Sequence, residues 1–127
     1  MQLLIIPGRL SGWNQLNTGC RWADRATKQE AMDIVGWEIR RQHIKPVLGK
    51  AVIRITCYEP NRKRDPSNVR AGAEKIVLDA LQNCGIIRND NWRWLSDAPA
   101  TVEYDKKNPR VEIKIELEES GCLNLKK

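Results

Sequence analysis

The sequence predicts one α+β domain over residues 1–127, a mainly antiparallel sheet with two helices packed on it. Three observations lead there. Apolar periodicity changes along the chain in the order strand, helix, strand, helix, strand, strand. Val111, Ile113, Ile115 and Leu117 alternate strictly with Glu112, Lys114, Glu116 and Glu118, as in a half-buried antiparallel strand. Val69, Ala73, Ile76, Val77, Ala80 and Leu81 recur at helical spacing and give one apolar stripe.

Gln2–Ile6 reads as a short buried strand closed by Pro7-Gly8. Arg9–Gly19 follows as a loop, with Ser11-Gly12 and Asn17-Thr18-Gly19 as turn signals. From Ala23 to Gln42 the pattern is helical, with Ala31, Ile34, Val35 and Ile39 on one face and Trp37 as a core or dimer-contact residue. Pro46 and Gly49 break the chain before a strand at Lys50–Glu59, whose Ile53, Ile55 and Cys57 form an apolar face. Pro60 ends that strand. Asp65 is a good N-cap, Pro66 suits the first helical position, and Gly85 suits the left-handed position after a helix end. Ala100–Tyr104 and Val111–Glu118 form the final strand pair across Asp105–Pro109, and the tail from Ser120 is short and loosely held.

Composition narrows the chemistry. Lys and Arg number 22 against 16 acids, a net charge of +6 that favours a polyanionic partner, nucleic acid first. Cys20, Cys57, Cys84 and Cys122 form no Cys-x-x-Cys pair, so they read as reduced thiols of a cytoplasmic protein rather than a zinc site. No apolar run reaches membrane-spanning length. His43 is the single histidine, which removes paired-His nucleases and His-rich zinc hydrolases. Gly49-Lys50 lacks the rest of a phosphate-binding loop, so an NTPase is not supported.

Chemistry concentrates between Arg62 and Trp94. The basic run Arg62-Lys63-Arg64 precedes Asp65 at a helix start, and a second carboxylate, Asp90, follows the helix. Lys75 and Asp79 lie one turn apart and can meet each other or share a site. Trp92-Arg93-Trp94-Leu95 interleaves aromatic and basic residues, which suits stacking on unpaired bases and equally suits sealing a core edge or dimer contact.

The stretches Asp65-Pro66-Ser67-Asn68, Lys75-Ile76-Val77-Leu78-Asp79-Ala80-Leu81 and Cys84-Gly85-Ile86-Ile87-Arg88-Asn89-Asp90-Asn91 resemble, in order, the RusA family of Holliday-junction resolvases, often carried by phages. Members show an Asp-x-Asp-Asn-like motif opening a helix, a Lys before Asp-Ala-Leu, and a paired Asp-Asp after the helix. Ile6-Pro7-Gly8 with Asn14 resembles the family's amino end. Ser67 and Asn89 depart from the pattern, each standing where the family carries an acid.

The resemblance implies a RusA-like homodimer that cuts branched DNA with Mg²⁺, for which Mn²⁺ can substitute. It implies Asp65, Asp90 and Lys75 as catalytic residues, with Asp65, Asp90 and Asn68 as metal ligands, and Asp79 is a third acid that replaces the one missing at Ser67 if the helix places it close enough. It places Arg62, Lys63, Arg64, Arg88, Arg93 and Asn14 against DNA. The departures at Ser67 and Asn89 support the alternative of a RusA-like protein that binds DNA without cutting it. A third reading, a phage structural or adaptor protein, makes the basic run incidental.

Overall fold

A computed structural model describes residues 1–89 and 91–118. In chain order the elements are β1 (Gln2–Pro7), α1 (Trp13–Leu16), α2 (Arg21–Arg41), β2 (Ala51–Glu59), α3 (Pro66–Asn83), β3 (Thr101–Tyr104) and β4 (Arg110–Leu117). They form an α+β fold around one four-stranded sheet in the order β1-β4-β2-β3.

The sheet is mixed, with two of its three strand pairings antiparallel as expected and the third parallel. β4 lies between β1 and β2 and is antiparallel to both, while β3 pairs in parallel with β2. The expected pairing of the last two strands is therefore wrong. β2–α3–β3 is a strand–helix–strand crossover, which returns the chain parallel to its start. The strictly alternating β4 then takes the central place, where both of its edges are paired.

Alternation decides which face is buried. Rows such as Leu4–Ile113–Ile55 and Ile6–Val111–Cys57 run across the sheet on the helix-covered side. The opposite side carries Leu3–Lys114–Arg54 and Ile5–Glu112–Thr56, so β1 is buried on one face rather than both. As an edge strand, β1 exposes unpaired backbone groups, and Gln42 at the end of α2 satisfies one pair of them. Its amide accepts from Ile5 N at 3.0 Å and donates to Ile5 O at 2.7 Å. A side chain thus blocks further strand addition there.

α2 buries Ala31, Val35 and Ile39 as expected, but it adds Met32 and Gly36 and leaves Ile34 and Trp37 exposed. Trp37 is not a core residue; Arg41 stacks over its ring. α2 ends with His43 at φ 55, a left-handed residue where glycine is usual. Every residue of the predicted stripe of α3 is buried. Gly85 at φ 75 closes that helix, with Gly85 N donating to Gln82 O and Ile86 N to Leu81 O.

The segment expected as a loop contains the single turn α1, held by close backbone packing. A Cβ at Gly72 would stand 2.7 Å from Gly12 Cα and overlap the Ser11 carbonyl. Gly72→Ala gains about 1 kcal/mol of helix propensity, but the overlap costs about 1–3 kcal/mol. Thermal denaturation should register a net loss. A stabilised variant would mean that residues 11–12 do not rest on α3.

Candidate nucleic-acid and metal site

α3 starts where β2 ends, so its first turn stands at one end of the sheet. Asp65 caps it with an extended backbone, and its Oδ1 accepts from Ser67 N at 3.2 Å and from Ser67 Oγ at 3.1 Å. Asp65 is exposed and has no ion-pair partner among the described residues. Three residues on, Asn68 Oδ1 accepts from Asn14 N at 2.6 Å. The structure thus brings Asp65, Ser67, Asn68 and Asn14 together, with Arg62 and Lys63 exposed just before them.

Arg64 is placed differently from its neighbours. Its Nε and Nη2 donate to the two oxygens of Glu59 at 2.9 and 2.8 Å, and Nη1 donates to Leu10 O at 2.9 Å. Arg9 Nη2 reaches the same carboxylate at 3.0 Å. Glu59 is 3% exposed. Arg64 therefore serves as a strut tying β2 to the loop before α1, and this corrects its expected role against DNA. Burial raises the Glu59 pKa, but the hydrogen bonds and charges of Arg64 and Arg9 outweigh it and hold the carboxyl below its usual range. Arg9 and Glu59 were missed in the sequence. An acid closing the apolar face of a strand, at the register of Ile55 and Cys57, was the available signal.

Lys75 and Asp79 do meet, at 3.3 Å, but Lys28 from α2 holds Asp79 more closely, at 2.6 Å. Burial raises the Asp79 pKa, and the two lysines lower it further than burial lifts it. About 15 Å of helix rise separates Asp65 from Lys75, and about 20 Å separates it from Asp79. Asp79 and Asp65 cannot hold one ion in this chain, so the expected ligand set is not brought together. Lys75 instead borders a cavity with Trp13 and Ala71 on the flank of α3.

Asp90 lies outside the described residues. The residues after it stand at the far end of the sheet from Asp65: Ala51 N donates to Trp94 O at 2.8 Å, and Ser96 N to Ala51 O at 2.9 Å. β2 spans 9 residues between these ends, about 26 Å. Arg88 stacks over Trp94 with 4.9 Å to the ring centroid, and Trp92 is 81% exposed. Trp92 borders a cleft of about 700 Å³ with Leu78, Leu95, Glu74, Asp97 and Glu118.

Among the described residues no group of three or more His, Cys, Asp or Glu side chains is placed to hold a metal. At Asp65 a hard cation would find one carboxylate only, with Oδ1 already taken by Ser67 and Oδ2 outside those bonds. Mg²⁺ commonly binds this way, through one or two carboxylates with water and substrate phosphate completing the shell. Cys57 offers no nucleophile: burial, with the Glu59 charge beside it, pushes its thiol up to about 12. No described helix is long and apolar enough to cross a membrane. Compared with known proteins, the chain matches no family model and no curated sequence.

Proposed function

We propose that the chain is a metal-dependent endonuclease for branched DNA, similar to the RusA resolvases, with Asp65 as its metal-binding carboxylate. One observation carries the reading. Arg64, next to Asp65 in sequence, pairs with Glu59, while Asp65 stays open to solvent beside Arg62 and Lys63. An acid left unpaired beside exposed cations suits a site in which phosphates meet the cations and a metal ion meets the acid. The bound ion would polarise a phosphate oxygen and make a water more acidic. Arg62 and Lys63 hold the backbone, Asn14 and Asn68 fix the loop beside the cap, and a second acid, Asp90, is proposed to come from the partner subunit of a homodimer, since the turn after it stands at the other end of β2 from Asp65. A homodimer follows from the substrate, since a four-way junction has approximate two-fold symmetry and needs two matched cuts.

The distance between Asp65 and the Asn91–Leu95 turn favours the second reading, a protein that binds branched DNA without cutting it. Ser67 gives the test. Its hydroxyl already touches Asp65 Oδ1, so Ser67→Asp sets two carboxylates at one helix start. On the nuclease reading the variant cuts a four-way junction at lower Mg²⁺ concentration than the parent and leaves linear duplex intact. An unchanged Mg²⁺ requirement in a folded variant would remove position 67 from the metal site.

A further inference from the structure

We infer that the sheet end where β2 and β3 finish is a docking surface for the backbone of duplex DNA, with Lys106 and Lys107 as phosphate contacts beside Arg62 and Lys63. This rests on the DNA-directed reading above and adds a loop that reading does not use. Three loops converge there. Gly8 N donates to Pro109 O at 3.0 Å, Asp105 N donates to Glu59 O at 2.8 Å, and the Arg62 guanidinium lies 4.6 Å over the Tyr104 ring. Residues 8–12, 60–65 and 105–109 therefore form one continuous edge, on the same end as Asp65.

Charge on this edge is sorted. Glu59 is held by Arg9 and Arg64, and Asp105 and Glu112 are held by Arg110. Arg62, Lys63, Lys106 and Lys107 are exposed and have no ion-pair partner among the described residues, while Asp65 and Glu103 are the acids left open near them. The backbones carrying the lysines are pinned: Lys107 N and Asn108 N donate to Asp105 Oδ1 at 3.2 Å each, and Lys63 N to Asn61 Oδ1 at 3.0 Å. Fixed loops presenting unpaired cations suit a polyanion of regular phosphate spacing. At the opposite end the cleft is bordered by Glu74, Asp97 and Glu118, with Lys50 paired to Glu118. That end also carries the exposed cations Lys45, Arg88 and Arg93, so what sets the β2–β3 end apart is that its cations stand on pinned loops while most of its acids are paired.

The test is a salt series of duplex-DNA affinity by fluorescence anisotropy, using the full chain. Lys106→Ala with Lys107→Ala should flatten the log–log salt slope by about two units, one per lost contact. Lys45→Ala, at the other end of the sheet, should leave it unchanged. The three positions are exposed, and equal melting temperatures would confirm that folding is not what changed. If the parent binds duplex with a salt slope and the double variant keeps it, this surface is wrong and the DNA reading stands. If the parent shows no salt-dependent binding to duplex or junction, both fail.

Discussion

Asp65→Asn is expected to lower metal-dependent cleavage of a four-way junction by about 10²–10⁴-fold and to leave junction affinity equal or tighter. Polarisation by a bound cation is worth several kcal/mol, and each 1.4 kcal/mol is tenfold in rate. Folding should hardly change, because Asn caps a helix about as well as Asp, and an amide oxygen can still accept from Ser67 N. Binding should persist because the substitution removes negative charge from a surface that faces phosphates. Cleavage assays and gel shifts on the same preparation separate the two effects. Full cleavage by the variant would reduce Asp65 to a cap.

Glu59→Gln should produce the largest loss of stability, about 3 kcal/mol, by leaving two guanidinium groups against a buried neutral amide. Arg64 is 20% and Arg9 37% exposed, so water recovers part of that cost. The effect also has a pH signature. The folded carboxyl titrates below its unfolded value, so its contribution is complete above the unfolded pKa of about 4.3. It is lost as pH falls through the lower folded value. Thermal unfolding of the parent should weaken over that acid window more steeply than that of the variant, and the gap between them should close. A constant gap down to pH 3 would mean that the Glu59 charge is not what joins β2 to the loop before α1.

Elements whose cause is local were legible in the sequence. α3 was readable at both ends because Asp65, Pro66 and Gly85 act on their own backbone, and β4 because its alternation spans its whole length. Sheet order was not, because the parallel pairing of β3 depends on where α3 delivers the chain, and periodicity carries no information on partners. The exposed Ile34 and the buried Met32 show the same limit within α2: the helix has apolar residues on two flanks, and tertiary packing selects one. At the candidate site, Asp65 and Asn68 were readable as a pair because one helical turn joins them. The loss of Arg64 to Glu59 was not, since the loop between them must turn back before the two can meet. Asp79 was misplaced for a geometric reason, because a straight helix carries it away from its own N-terminus.

Metal-dependent junction cleavage is read by incubating the chain with a synthetic four-way junction while Mg²⁺ or Mn²⁺ is titrated from zero. Without the ion the junction is expected to be bound but intact, and paired nicks should appear near the crossover as the ion is added. A junction that stays bound yet uncut at every concentration of either ion would mean that the chain binds branched DNA without cutting it.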